Sequence, residues 1–313
     1  MKDRELLPRT SNYSVRKGEK IMAATEGMIK KSQIAKAREI DYVWRFTEDL
    51  KGLMALLNIT RPIPVKAGTL LKAYKTTGEL LDGSQVAEGA TIPLSQFATT
   101  LAFSKEASLN KYRKASSAEA ILKGGYDQAV IDTNKKALSE AHKAIKTGLI
   151  GSLTPDSGAT SASGVGLQKT LANASAKLAI KFEDTDYEPV HFVNPEDLGD
   201  YLGNAQISLQ SRYGLKYLED FLGLGTVIVM SGIEKGTTVS TAKENIQLYF
   251  VDVNEENGLG EAFDFTTDET GLVGVHTGAT YDNMSVETVI VDGVEFFPER
   301  VDGLVVGEIS NPS

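Results

Sequence analysis

Phe97-Ala98-Thr99-Thr100-Leu101-Ala102-Phe103-Ser104-Lys105 is the stretch that decides how this chain folds. Successive side chains of an extended strand point to opposite sides, so Phe97, Thr99, Leu101 and Phe103 fall on one face and Ala98, Thr100, Ala102 and Ser104 on the other. A run of similar length, Gly68 to Leu80, precedes it. Between the two lies Asp82-Gly-Ser-Gln-Val-Ala-Glu-Gly-Ala-Thr-Ile-Pro93, a segment rich in turn formers. The pattern predicts a two-stranded hairpin with arms of roughly 40 Å, at about 3.3 Å per residue. A lone ribbon of that length leaves both edges open and cannot bury itself. It needs a surface to lie on, and another copy of the same chain can supply one. Assembly is therefore expected ahead of catalysis.

Working outward, Lys105 to Lys114 reads as a basic connector into Ser116-Ser-Ala-Glu119, a capping box that satisfies free backbone donors at a helix start. The helix that follows carries Leu122, Tyr126, Val130, Thr133, Ala137, Ala141, Ile145 and Gly148 on one stripe. At 1.5 Å per residue it spans roughly 50 Å. Gly124-Gly125 is expected to weaken or kink it near its start. Upstream, Ile34, Ala37, Ile40, Val43/Trp44, Leu50, Leu53/Met54 and Leu57 mark a second helix that packs its stripe on the protein's own core. Thr60-Arg-Pro-Ile-Pro64 ends that helix. Residues 1–31 read as an extended arm that needs a partner.

Beyond the long helix, residues 151–165 read as a loop of small polar residues, and Leu167 to Ile180 as a helix. Val190–Val193, Thr226–Met230 and Gln247–Val251 are expected strands. Asn194-Pro195 is a helix start, and Leu215 to Leu222 a short helix. Val286 to Ile309 reads as two strands joined around Asp292-Gly293, closed by Val301-Asp-Gly-Leu-Val-Val306.

The 313 residues are 41% hydrophobic, which suits a globular chain with ample core. Residues 1–181 hold 28 Lys/Arg against 17 Asp/Glu, and residues 182–313 hold 5 against 25. Opposite charge on the two parts reads either as two solvated faces or as a basic part of one copy meeting the acidic part of the next, which would steer assembly. The acidic part argues against a nucleic-acid binder, and no basic cluster is interleaved with aromatics. No 18-residue apolar run and no apolar signal region is present. The chain has no cysteine and three histidines, His142, His191 and His276, with no zinc-like spacing. Neither a Walker loop nor a dinucleotide fingerprint nor a nucleophile elbow occurs. Asp252-Val-Asn-Glu-Glu-Asn-Gly258 fails as a calcium loop, since the position that requires glycine is Asn257 and the twelfth is Phe263. No catalytic residue, cofactor or metal is expected.

Several segments together resemble the major capsid proteins of tailed bacteriophages, the HK97-type fold. They are Thr60-Arg-Pro-Ile-Pro-Val65, Gly68 to Tyr74, Val86-Ala-Glu-Gly-Ala-Thr-Ile-Pro-Leu-Ser95, Leu109-Asn-Lys-Tyr-Arg-Lys114 entering Ser116 to Tyr126, Phe192-Val-Asn-Pro195 and Val229-Met-Ser-Gly-Ile-Glu-Lys-Gly236. The order of elements over residues 32–309 agrees as well. The resemblance implies an α+β fold. Its expected parts are an N-terminal arm and helix (1–60), an extended hairpin or E-loop (61–115), a peripheral domain with a spine helix (116–189), an axial domain (190–285) and return strands (286–313).

The resemblance further implies a subunit that assembles into pentamers and hexamers of an icosahedral head around double-stranded DNA, contacted without sequence specificity. Its location would be the virion, and the host cytoplasm during assembly. About thirty residues ahead of the shell region leave no room for a fused scaffolding segment, so a separate scaffolding protein is expected, with a portal protein and no membrane. Some relatives form lysine–asparagine crosslinks; Lys72 and Lys75 lie on the hairpin, but nothing marks a partner, and no crosslink is expected. Tyr74, Phe97, Leu101 and Phe103 are the expected apolar contacts between subunits. Lys111, Arg113 and Lys114 are the expected basic ones. The alternatives are an encapsulin-like nanocompartment of the same fold and a soluble enzyme or binding module.

Overall fold

The computed structural model describes residues 31–81, 86–87, 89–154, 159–183, 185–203, 208–212, 215–254 and 259–310. The expected N-terminal arm, apart from Lys31, and residues 82–85 and 88 of the hairpin tip lie outside them. Helix α1 (Lys31–Leu56) buries Val43, Phe46, Leu50 and Leu53 at three- and four-residue steps, and buried Leu57 continues the stripe just past its end. Each such side chain contributes roughly 1.5–3 kcal/mol on burial. Ile40 and Trp44, expected on this stripe, face out instead. Buried Glu39 ties α1 down, accepting hydrogen bonds from the Thr266 hydroxyl at 2.7 Å and the Thr277 N–H at 2.6 Å. Past the helix, β1 (Ile63–Val65) is a short strand that was not anticipated.

The hairpin consists of β2 (Leu70–Glu79) and β3 (Gln96–Glu106), which pair only with each other among the described residues. The presumed connector is largely β-structure, because β3 runs to Glu106 and β4 (Asn110–Ser117) follows. Helix α2 (Ala118–Tyr126) is capped by Ser117, one residue later than the capping box placed it; the Ser117 hydroxyl accepts from the Ala120 N–H. Gly125, at φ 78° and ψ 158°, breaks the helix where the glycine pair predicted. A π-helical turn, Asp127–Asp132, leads into α3 (Thr133–Leu153).

Thr160–Val165, read as loop, is strand β5, followed by α4 (Gly166–Lys181), β6 (Pro189–Val193) and α5 (Pro195–Leu202). Asn194 caps α5 as expected, its side-chain oxygen accepting from the Glu196 N–H at 2.8 Å. Then come β7 (Gln210–Arg212), β8 (Leu215–Leu218), β9 (Thr226–Val229), β10 (Thr237–Ala242) and β11 (Ile246–Val251). The helix expected over 215–222 is therefore a strand plus a 3-10 turn at Phe221–Gly223. Leu215, Tyr217 and Leu218 are buried while Lys216 is exposed, because β7 and β9 flank this stretch and take it into a sheet. A short α6 (Leu259–Phe263), β12 (Val273–Thr280), β13 (Ser285–Asp292), β14 (Val294–Pro298) and β15 (Val305–Ser310) complete the order.

These strands build a seven-stranded sheet, β5-β15-β10-β6-β9-β8-β7, and two three-stranded sheets, β12-β13-β4 and β1-β11-β14. The strands at 285–310 thus enter three different sheets. One core joins α1 and α3 to β11, β13 and β14 through Phe46, Leu149, Leu248, Ile290 and Phe296. His191 is fully buried in the large sheet. Its Nδ1 lies 2.7 Å from the Ser240 hydroxyl and its Nε2 2.9 Å from the Leu224 carbonyl. Burial pushes its pKa down.

Candidate functional site

The arm changes character along its length because its register slips once. Leu71 faces Lys105 and Ala73 faces Phe103, but Tyr74 faces Leu101, leaving Ala102 as an extra residue in β3. A one-residue slip moves every later side chain to the other face. Near the root, Leu71 and Ala73 are buried, and Ala102 and Phe103 pack on the core. Beyond the bulge, Tyr74, Leu101 and Phe97 turn away from it, 54%, 53% and 57% exposed. The unbroken alternation expected from Phe97 to Phe103 therefore fails at Ala102. Along the outward face, the Thr76 and Thr99 hydroxyls lie 3.0 Å apart. Phe97 stands opposite Gly78, where an added Cβ would meet the ring at 2.7 Å. Toward the tip, Leu80, Ile92 and Leu94 are also exposed. The free part of the arm is a two-stranded blade with apolar groups and unpaired backbone edges.

The root is fixed firmly. Phe103 lies against Phe297 with ring centroids 5.3 Å apart, and Lys105 Nζ is 2.5 Å from the buried Glu295 carboxylate. Where the chain leaves the arm, the Asn110 side-chain amide donates to Asp292 at 2.8 Å. Asp292 is fully buried, and its second oxygen has no hydrogen-bond partner among the described residues. Burial pushes its pKa up to about 6, against the pull of Asn110 and the Val294 backbone.

The basic residues of β4 divide into two groups. Lys111 is exposed. Arg113 forms a two-pronged pair with Glu287 on β13, at 2.5 and 3.0 Å. Lys114 turns inward and donates to the Val130 carbonyl at 3.0 Å and to Asn134 at 2.6 Å; burial lowers its pKa. The Ser116 hydroxyl donates to the Ala129 carbonyl at 2.7 Å, and the Tyr42 hydroxyl to the Ile131 carbonyl at 3.1 Å. Side chains from α1 and β4 thus serve three successive carbonyls of the π-turn. A π-turn disturbs the regular bonding of a helix, and these donors answer the need it creates. Sequence reading missed this arrangement, since nothing in the order Lys114, Ser116 or Tyr42 signals a π-turn.

No grouping of three or more His, Asp or Glu placed to hold a metal ion is found among the described residues. None of the described helices is long and apolar enough to cross a membrane.

Neither a family model nor a curated protein matches this sequence. Solved structures do. The capsid asymmetric unit of cyanophage A-1(L) superposes with a TM-score of 0.50 at 10% identity, covering 82% of this chain and 92% of that one. A structure from Mycobacterium phage Che8 gives 0.49 at 11% identity, covering 77% and 84%. The virus-like particle from Pyrococcus furiosus gives 0.47 at 11% identity, covering 86% and 98%. At such identities the likeness is one of fold, and the cyanophage match carries it. The fold is the HK97-type capsid fold, α+β, as the sequence resemblance implied.

Proposed function

We propose that this chain is the major capsid subunit of a tailed-phage head, forming pentamers and hexamers of an icosahedral shell around double-stranded DNA. The observation that carries this reading is the blade beyond the bulge. Tyr74, Phe97 and Leu101 present apolar surface away from the protein's own core on a two-stranded sheet with both edges open. An element so built is stabilised by lying on another molecule, and the capsid fold supplies the sister subunit. In this reading residues 61–115 are the E-loop, 116–189 with 286–313 the peripheral domain, 190–285 the axial domain and 1–60 the N-terminal arm and helix.

Tyr74, Phe97, Leu101 and Lys111 are the contacts assigned to the neighbouring subunit. Phe103, Arg113 and Lys114 act one step back, holding the blade at its angle. Many weak contacts add through avidity, so no single one needs to be strong. A separate scaffolding protein and a portal protein belong to the same proposal, as does residence in the virion after assembly in the host cytoplasm. Negative-stain microscopy and sedimentation velocity of the purified chain test it. Closed particles of uniform diameter are expected; a compact monomer at high concentration overturns the reading.

A further inference from the structure

The seven-stranded sheet ends in two strands of different kinds, β7 and β5. β7 spans three residues, and an edge so short offers little to pair with. β5 spans six, Thr160-Ser-Ala-Ser-Gly-Val165, with no charge, no proline and no bulge against β15. Charge, proline and bulges are what an edge strand itself can set against pairing, and β5 has none of them. The Thr160 N–H donates to the Leu304 carbonyl at 2.8 Å, so Thr160, Ala162 and Gly164 turn their backbone groups to β15. Ser161, Ser163 and Val165 turn theirs to the free edge, and all three residues are exposed.

The closure of this edge comes from α4. Gly164 lets the helix approach closely, since an added Cβ there would stand 2.5 Å from the Thr170 backbone nitrogen. The Thr170 hydroxyl donates to the Gly164 carbonyl at 3.1 Å and holds the approach. About one turn further on, the Asn173 side-chain amide donates to the Ser163 carbonyl at 2.7 Å. After another turn, the Lys177 ammonium donates to the Ser161 carbonyl. Four helical residues rise about 6 Å, and two strand residues about 6.6 Å. A helix running against β5 therefore meets its alternate, outward carbonyls once per turn. Asn173 and Lys177 belong to a row spaced by four, Lys169, Asn173, Lys177 and Lys181. Like charges at that spacing, as in Lys177 and Lys181, disfavour a helix by themselves. The partner of the Lys177 ammonium is a backbone oxygen of the strand.

We propose that β5 is a latent strand-addition edge, and that Asn173 and Lys177 hold it shut against the β5 of a second copy. The partner is β5 itself because two identical uncharged edges pair antiparallel about a two-fold axis with no like charges opposed. The blade, by contrast, bears Lys72, Lys75 and Glu79 along β2. The inference goes beyond the shell reading and does not need it, since it concerns a contact that the folded chain prevents.

The test uses the full chain carrying Phe97→Asp and Leu101→Asp, so that blade contacts do not contribute, and compares each variant with that background. Asn173→Ala with Lys177→Ala is expected to give a species of about twice the background mass in sedimentation velocity, with a Kd on the order of 10 µM. Adding Ser163→Pro restores the background mass, because proline removes an outward N–H and leaves the ladder to β15 untouched. Lys177→Met alone keeps the stem and removes one edge bond. It associates about tenfold more weakly than the double change, and it carries the test if the double variant fails to fold. Thr170→Val loosens α4 at Gly164 without baring the edge; it lowers the thermal melt and keeps the background mass.

The proposal is overturned if the folded variants keep the background mass at about 100 µM, ten times the expected Kd. Association that survives Ser163→Pro overturns it too, and so does equal association by Thr170→Val. Because the blade is disabled throughout, the success or failure of the shell reading does not enter the comparison.

Discussion

Tyr74 faces Leu101 across the arm, one residue out of step with the Ala73–Phe103 pair beside it. That slip divides one hairpin into two working parts. Inside it, Phe103 belongs to the protein's own core. Outside it, Leu101 and Phe97 belong to whatever the blade meets.

Two aromatic substitutions on β3 should therefore behave differently. Phe97→Asp with Leu101→Asp leaves the chain folded, with the melting temperature shifted by about 2 °C or less, because the groups lie in solvent. Particle formation is lost. Phe103→Asp places a charge against Phe297 and costs about 3 kcal/mol or more, lowering the melt itself. Differential scanning calorimetry with sedimentation velocity separates the two outcomes.

Asp292 makes the protein more stable as the medium becomes more acidic over a defined window. Its folded pKa, about 6, lies above the ordinary 3.8, so the folded chain takes up its proton first. This group's contribution to stability therefore rises as pH falls from about 6 toward 4. Asp292→Asn keeps an acceptor for Asn110 and removes the buried charge. It is expected to stabilise the chain at pH 7 by up to about 3 kcal/mol, with the gain vanishing near pH 4. Urea melts of both proteins across that range check it.

His191 acts in the opposite direction. Its pKa is lowered by burial, so the folded state favours the neutral ring. The stability this confers is complete above the ordinary histidine pKa of about 6.5 and is lost as pH falls below it. Replacing His191 with Gln should flatten that acid limb while lowering stability at pH 8 by about 1–3 kcal/mol, through the disturbed bonds to Ser240 and Leu224. The same melts, compared pairwise with Asp292→Asn, separate the two groups.

The π-turn predicts a graded effect. Tyr42→Phe and Ser116→Ala each remove one donor to a successive carbonyl and should cost about 1 kcal/mol. Lys114→Met removes the bonds to both Val130 and Asn134 and should cost about 2 kcal/mol. Arg113→Ala, whose side chain lies in solvent, should leave the denaturation midpoint nearly unchanged. A reversed order of these midpoints would show that the turn does not depend on its donors.

Much of the architecture was legible in residue order. Alternation placed the hairpin, three- and four-residue spacing placed α1 and α3, Gly124-Gly125 marked the break, and Asn194-Pro195 marked the start of α5. The errors share a cause: local pattern does not record which strand lies alongside. Leu215–Leu218 is a strand because β7 and β9 flank it. Thr160–Val165 is polar and small, yet it forms an edge strand because β15 offers it a parallel partner. Ala102 shows no mark of a bulge, so the reversal of Phe103 was invisible. The bonds from Arg113 to Glu287 and from Lys114 to Asn134 were not legible either, because no local pattern marks those partners.

The distribution of β13, β14 and β15 among three separate sheets has a consequence for synthesis. β15 is an interior member of the seven-stranded sheet, between β5 and β10, and β13 is the middle strand of its own sheet. During translation, the sheet of β13 cannot close before residue 292 is made, that of β14 before residue 298, and the seven-stranded sheet before residue 310. A nascent chain therefore stays unfinished, with no properly formed surface for another chain's blade to grip, until these strands are made. Folding sets the clock for association, so crowded polysomes making this chain would not be glued together by half-built subunits.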